Sequence, residues 1–442
     1  MNSLAQWLFD KPHAVQGDVY AALDIGTSKI ACLIARLNED GQPNVVGIGH
    51  QSSQGVRAGL VSDMEALQQT ISSVVNTAEQ MSGENINRVI VNVAAPLLLS
   101  QPVAVTLPLN GREITGSDIE KLIAQAQTMG SEEGNDSASM ELLHTLPVQY
   151  ALDGGRGIRE PVGMIGNVLQ ADYHLVSSSF GPVRTLETAV ARCHLEVERM
   201  VAAPLASGLT CLVEDEMDLG CTLIEIGAGT TSIGIFFDGH MIFADGLPIG
   251  GEHITNDIAR GLTTTFSHAE RLKTLYGSAV MSPADEREII DVPQVGEEEP
   301  EFANHLPKAH LLRIIQPRLE EILEMVGERL EKSGFSEIAG KRAVLTGGGS
   351  QIPGIRDMAN RILDKQVRLG RPLRITRPYQ GEHSSSLVLT GLAETTSGPA
   401  FATTAGLLVT ALQPDGLDPH GLFDQGNNGM MGRLSHWIKQ NL

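Results

Sequence analysis

Long apolar runs are missing from this chain. No uninterrupted stretch of about eighteen apolar residues occurs in its 442 residues, which excludes a membrane-spanning helix. Basic residues are also scarce: 32 Lys and Arg stand against 53 Asp and Glu, a formal net charge of -21, and they gather into no basic face. Nucleic acid is therefore excluded as a partner, because phosphate contacts need such a face. The four cysteines, Cys32, Cys193, Cys211 and Cys221, lie among apolar neighbours with no CxxC pair and no His in ligand register. They read as buried reduced thiols of a cytosolic protein. The first ten residues include Leu4, Trp7, Leu8 and Phe9, but no basic region or small-residue cleavage site accompanies them, so a secretory signal is not supported. Any membrane contact is then expected from the cytoplasmic side. What remains is an ordinary globular composition, 42% hydrophobic, long enough for roughly two to four domains.

Two glycine turns of one design lie about two hundred residues apart. The first is Leu23-Asp24-Ile25-Gly26-Thr27-Ser28-Lys29, the second Leu223-Ile224-Glu225-Ile226-Gly227-Ala228-Gly229-Thr230-Thr231-Ser232. In each, an acid closes a strand, glycine turns the backbone, and Thr or Ser opens the next strand. Glycine lets successive N–H groups converge on an anion, and the hydroxyls add donors. Asp24 and Glu225 would repel a bare phosphate, so the design makes sense with a hydrated Mg ion between acid and phosphate. One such turn alone is no more than a β-hairpin; the pair reads as two jaws on one Mg-nucleotide.

Along the chain, residues 1–18 read as a poorly ordered tail. Three strands follow over 19–24, 29–37 and 45–50, then a helix capped by Asp63 with Leu67, Ile71, Val74, Val75 and Ala78 on one face, and a strand over 88–94. Residues 95–174 differ in texture, with short strand runs around one helix at 116–128, and are expected to be an inserted α+β domain. A helix, a strand and a second helix (182–193, 196–203, 204–212) lead to the second turn. Gly250-Gly251 precedes an amphipathic helix with Ile254, Ile258 and Leu262, and 267–276 gives another. The acidic, proline-bearing stretch 282–302 reads as a solvated loop or a short edge-strand excursion. A long helix over 311–332 and a strand over 342–346 then lead into a third glycine turn, Thr346-Gly347-Gly348-Gly349-Ser350, and a helix from Ile355. Strands and helices alternating in two similar halves imply doubly wound α/β lobes with a cleft between them.

The third turn, after a strand and before a helix, suits the sugar-phosphate of a nucleotide. Glu270 and Lys273, one helical turn apart, can face one ligand edge, the carboxylate accepting from ribose hydroxyls and the ammonium donating; from the residues alone a surface ion pair is the simpler reading. At the other end, a Gly, Asp, Pro and Asn-rich linker over 413–429 leads to Met430, Met431, Leu434, Trp437, Ile438 and Leu442, which share an arc of about 140° on a helical wheel. Arg433, His436, Lys439 and Gln440 take the other side. An apolar wedge with an interfacial Trp and cations facing anionic lipid is the pattern of a membrane-surface helix, too short to span. A terminal helix docked on the protein's own core is the alternative.

With the three turns in this order, the chain resembles the actin, sugar-kinase and chaperone ATPase superfamily, and within it the bacterial cell-division FtsA family. The residues carrying the resemblance are Leu23 to Lys29, Leu146 to Ala151, Pro161-Val162-Gly163-Met164 before Ala171 to Leu175, Ala191-Arg192-Cys193, the second turn, Gly250-Gly251, Ala269 to Lys273, and Leu345 to Gln351. The resemblance implies a two-lobed actin-like (ribonuclease-H-like) α/β fold with a small inserted α+β subdomain, 1C. It divides the chain into a tail (1–18), subdomain 1A (19–94, 175–206 and 379–412), 1C (95–174), 2A (207–253 and 311–378), 2B (254–310), a linker (413–429) and a membrane-targeting helix (430–442). It implies ATP and Mg as ligands. Asp24, Gly26, Thr27, Ser28 and Lys29 would form the first phosphate and Mg site, Gly227, Gly229, Thr230 and Thr231 with Gly250 and Gly251 the second, and Gly347, Gly348, Gly349 and Ser350 the adenosine wall, with Glu270 and Lys273 on ribose and base. The Lys29 side chain could equally leave the pocket along its strand.

The implied function is a scaffold on the cytoplasmic face of the inner membrane at the division site. It would tether the tubulin-like ring protein FtsZ, recruit later division proteins through 1C, self-associate into actin-like polymers, and bind anionic lipid by its last helix. One departure stands out: Glu225 occupies a position where the superfamily usually has Asp. An extra methylene moves the carboxylate by roughly an ångström, enough to misplace a hydrolytic water. ATP binding with slow or negligible hydrolysis is therefore expected. An actin-fold small-molecule kinase, or the pilus-assembly adaptor of the same superfamily, are the alternatives. The first lacks a reason for the insertion, the second for the terminal helix.

Overall fold

The computed structural model describes residues 19–38, 43–132, 140–296, 303–372, 389–392 and 396–411. The expected N-terminal tail, the linker and the terminal helix bearing Met430, Met431, Arg433, Leu434, Trp437, Ile438, Lys439 and Leu442 lie outside the described residues.

The chain opens with an antiparallel meander, Val19–Ile25 (β1), Lys29–Leu37 (β2) and Pro43–Ser52 (β3). A small hairpin follows, Val56–Arg57 (β4) and Leu60–Val61 (β5). The helix Met64–Ser82 starts where the Asp63 carboxylate accepts from the Glu65 and Ala66 N–H groups and stops at Gly83 in the left-handed region. Its buried face is the one the 3.6-residue period marks, and it returns the chain to Arg88–Val93 (β6), parallel to β1.

The insertion comes next: Leu98–Pro108 (β7), the helix Gly116–Glu132, Met140–Leu152 (β8), Gly155–Ile158 (β9) and Val168–Ser179 (β10), in the antiparallel order β7-β10-β8-β9. Its own small core gathers around Tyr150, Tyr173 and Leu169. After the helix Phe180–Ala191, Glu196–Ala202 (β11) rejoins the first sheet beside β6.

The second lobe repeats the first. Cys221–Ile226 (β12), Thr231–Phe237 (β13) and His240–Leu247 (β14) form another antiparallel meander. A hairpin of Ile289–Val292 (β15) and Asn304–Pro307 (β16) follows, so the stretch read as a loop or edge excursion contains the edge strand. Arg342–Thr346 (β17) and Gln366–Leu369 (β18) then add parallel to β12. The two sheet orders, β3-β2-β1-β6-β11 and β14-β13-β12-β17-β18, are the same arrangement twice. Both glycine turns thus sit at the same topological point, where the central strand enters its hairpin.

The lobes meet through two helices, Ala203–Cys211 and Ala402–Ala411, every residue of which is buried. Small residues let them touch backbone to backbone: a Cβ on Gly406 would lie 1.8 Å from the Ala206 carbonyl oxygen. Cys32, Cys211 and Cys221 are buried, and burial pushes the Cys32 thiol up to about 12, as expected for inert structural thiols, whereas Cys193, also expected to be buried, is only half-buried at the end of the helix Phe180–Ala191.

Candidate functional site

The first turn is built by Gly26, whose N–H donates to the Lys29 carbonyl at 3.0 Å; the second by Gly227, whose N–H donates to the Thr230 carbonyl at 2.9 Å. A Cβ on either glycine would press on that carbonyl. Buried Asn92, on β6, fixes the first turn by accepting from the Ile25 N–H at 2.7 Å. The two turns are in contact. A Cβ on Gly229 would fall 2.5 Å from Thr27 Oγ1, so only glycine permits this approach of the lobes.

Beneath the turns the two acids share a floor. Buried Asp24 accepts from Thr404 Oγ1 at 2.7 Å, and Glu225 accepts from Ser207 Oγ at 3.0 Å and from Thr403 Oγ1. Adjacent hydroxyls of one helix therefore hold a carboxylate from each lobe. Protein enclosing the Glu225 carboxyl pushes it up to about 7; the Thr403 hydrogen bond opposes this, and the neighbouring Asp24 charge adds to it. Two neighbouring carboxylates, one of them raised by burial and by the other's charge despite its hydrogen bonds, make a site that a cation would relieve. The donor set fits a hydrated divalent ion beneath a phosphate cradle.

The remaining residues take distinct places. Thr231 is buried and its hydroxyl donates to the Ile249 carbonyl at 2.8 Å, tying the second turn to Gly250-Gly251. Gly251 N–H and Glu252 N–H donate back to the Gly227 and Ala228 carbonyls, and a Cβ on Gly250 would lie 2.6 Å from both of those oxygens. Lys273 Nζ donates to Glu270 Oε2 at 2.7 Å, and also to Thr255 Oγ1 at 2.8 Å and the Gly251 carbonyl at 3.1 Å. The pair is thus wired into the second turn's support, with Lys273 largely covered and Glu270 open to solvent. Lys29 leaves the first turn: its ammonium donates to the Ala400 carbonyl and lies 4.5 Å from the Phe401 ring centroid. Ser28 is exposed beside Thr27.

The third turn departs from a plain strand-to-helix junction. Gly348–Gln351 is a single 3-10 turn, and the regular helix starts only at Ile355, after Pro353-Gly354. Ser350 is buried, its hydroxyl donating to the Gly347 carbonyl at 2.8 Å, so it shapes the turn, while Gly348 is exposed. Gly347, at φ 81, packs on the end of β12, a Cβ there lying 2.5 Å from the Ile226 carbonyl oxygen. The third turn is thereby joined to the second, and its Gly347 N–H reaches the Pro399 carbonyl at 3.2 Å, beside the segment that holds Lys29. Sequence reasoning missed Ser207, Thr403, Thr404, Asn92 and Thr255. Their signal was faint: Ser207, Asn92 and the Thr403-Thr404 pair lie inside runs otherwise apolar enough to be core, and Thr255 sits among Glu252, His253, Asn256 and Asp257 on what reads as the polar side of an amphipathic helix.

Against known proteins, the model of "Cell division protein FtsA" matches residues 222–406, and that of the "SHS2 domain inserted in FTSA" matches residues 98–177. Cell division protein FtsA of Rhizobium meliloti is 41% identical over 439 residues, covering 96% of this chain and 94% of that protein. The chain belongs to the FtsA family. Its likeness extends to FtsA of Pseudomonas aeruginosa, 34% identical over 432 residues (96% of this chain, 98% of that protein), and to that of Escherichia coli K12, 31% identical over 402 residues (89% and 90%). Among solved structures, the type IV pilus biogenesis complex PilM-PilN aligns with a TM-score of 0.62 at 16% identity over 91% of this chain and 100% of that one. MreB5 of Spiroplasma citri bound to ADP aligns at 0.50, with 14% identity over 80% of this chain and 92% of that one. At these identities the structures speak for the fold alone. The chain is a cell-division protein of the FtsA family with a two-lobed actin-like α/β fold and an inserted SHS2 subdomain.

Proposed function

We propose that this protein is an ATP-binding scaffold of the division machinery that tethers FtsZ to the cytoplasmic membrane. The observation carrying the nucleotide reading is the contact of two equivalent glycine turns above two carboxylates held by Thr403 and Thr404. Gly26, Thr27 and Ser28 on one side, and Gly227, Gly229 and Thr230 on the other, bind phosphate oxygens. Asp24 and Glu225 hold Mg through water, and Gly347 to Gly349, with Glu270 and Lys273, receive the adenosine. When bound, Mg would supply the counter-charge that offsets these acids beside a triphosphate. Thr231, Ser350, Gly250 and Gly251 act by shaping the turns. Glu225 in place of Asp keeps hydrolysis slow.

The terminal helix, with Trp437 and Leu434 at its apolar centre and Arg433 and Lys439 on its polar side, lies in the surface of anionic membranes. Recruitment of later division proteins is assigned to the insertion, and self-association into polymers to the actin-like body. Liposome flotation tests the scaffold reading. Full-length protein floats with anionic vesicles and carries FtsZ with it; with Trp437→Glu and Leu434→Glu it stays in the dense fraction. Flotation unchanged by those substitutions, or FtsZ left behind, contradicts the reading.

A further inference from the structure

The tip of the β4–β5 hairpin, Arg57-Ala58-Gly59-Leu60, lies between the two phosphate turns and belongs to neither. Gly59 N–H donates to Thr27 Oγ1 at 3.2 Å. A Cβ on Gly59 would sit 2.7 Å from Ala94 Cβ and 3.3 Å from Thr230 Cγ2, and one on Gly229 would sit 3.0 Å from Ala58 Cα. The tip therefore touches the first turn and the second. Its two central residues have φ of 48 and 79, the left-handed pair of a tight hairpin, and the first is alanine, for which that conformation is strained. Hydrogen bonding and packing on both lobes hold a strained turn at this one point.

On the same tip Arg57 is exposed and, among the described residues, makes no ion pair. It lies near enough to the second lobe for its charge to act on Glu252. Glu252, which follows Gly250-Gly251 on the other lobe, is raised by burial and by Glu270, while Arg57 is among the cations that pull it back down. Arg57 is thus a cation on a hairpin seated against both phosphate turns, close enough to the second lobe to act on Glu252, and a guanidinium is the side chain best suited to grip phosphate oxygens.

We propose that Arg57 is a binding residue for the terminal phosphate of a nucleoside triphosphate, so that the β4–β5 hairpin distinguishes triphosphate from diphosphate. This rests on the nucleotide reading above and adds to it a specificity determinant outside the three glycine turns. Arg57 forms no covalent bond and moves no proton; it supplies charge and a planar pair of donors to oxygens that a diphosphate lacks.

Equilibrium and stopped-flow binding of fluorescent N-methylanthraniloyl ATP and ADP to the full chain tests it, with wild type, Arg57→Gln and Arg57→Lys measured together. Arg57→Gln weakens ATP binding by about tenfold or more, seen mainly as faster release, and leaves ADP within about twofold; Arg57→Lys recovers part of the loss. The nucleotide-free melting temperature is unchanged, since the side chain is exposed. Equal affinities for ATP across the three proteins, or equal losses for ATP and ADP, overturn the proposal while leaving the nucleotide site standing. Wild type that binds neither probe removes the nucleotide site and this proposal together.

Discussion

Replacing Glu225 by Gln removes one negative charge from the cleft floor and keeps an amide that can still accept from Ser207 or Thr403. In the folded, nucleotide-free protein the Glu225 carboxyl is raised from 4.5 to about 7, first by burial and, against the Thr403 hydrogen bond, by Asp24. Below the lower value it is protonated folded or unfolded. Between the two, only the folded protein keeps the proton; above the upper one, the folded protein carries a poorly solvated charge. Its stabilising share is thus intact in acid, declines as pH rises through this window, and is gone above it, a total on the order of 3 kcal/mol at most. Thermal melting of wild type and Glu225→Gln in EDTA, from pH 5 to pH 8, reads the effect. The variant should match wild type near pH 5 and melt several degrees higher at pH 8, and taking the difference between the two proteins cancels titrations elsewhere. Parallel curves at all pH values would refute the paired-carboxylate account. Mg-ATP should narrow the gap at pH 8 by stabilising wild type more than the variant.

Gly229→Ala places a methyl 2.5 Å from Thr27 Oγ1 and 2.9 Å from Thr27 Cγ2, so the jaws must part. ATP affinity should fall by about tenfold, given a strain of about 1–3 kcal/mol, measured by calorimetry. At the insertion, His174 Nδ1 donates to the Met241 carbonyl at 2.8 Å, and His144 Nε2 accepts from Ala202 N–H at 2.9 Å. Burial lowers the pKa of His174 to about 4 and that of His144 to about 3. Their contribution is complete above pH 6.5 and is lost as pH falls toward those values, at about 1.4 kcal/mol per pH unit for each. Hydrogen exchange should therefore show the insertion loosening in acid both from the second lobe at Met241 and from the first sheet at Ala202, and His174→Gln should blunt the response at Met241. Steady-state hydrolysis by purified protein should stay well below one turnover per second, and a rate of several per second would contradict the role given to Glu225.

Much of this architecture could be read from the residues alone, because local chemistry dictates it. The alternation around Leu23 and Ile224, the glycines at 26 and 227, and the face of Leu67, Ile71 and Val74 each act within a few residues of themselves. What stayed hidden depends on distance in the chain. Thr404 lies 380 residues from Asp24, and no local pattern marks its hydroxyl as the partner of that acid. Ser350 and Thr231 looked like ligand donors because hydroxyls beside glycines usually are; both turn inward to close backbone carbonyls. Lys29 resolves toward the Pro399–Phe401 segment, a destination visible only once the helix Ala402–Ala411 is packed on the first sheet. Glu270 and Lys273 are an ion pair, as the bland reading had it, but one anchored to Gly251 and Thr255.

A crystal structure of the full chain grown with Mg and a non-hydrolysable ATP analogue tests the central claim most directly. The phosphates should lie between Gly26–Ser28 and Gly227–Thr230, with the metal waters on Asp24 and Glu225 and the adenine against Gly347–Gly349. Nucleotide bound on another surface, or absent from this cleft at saturating concentration, would contradict the account.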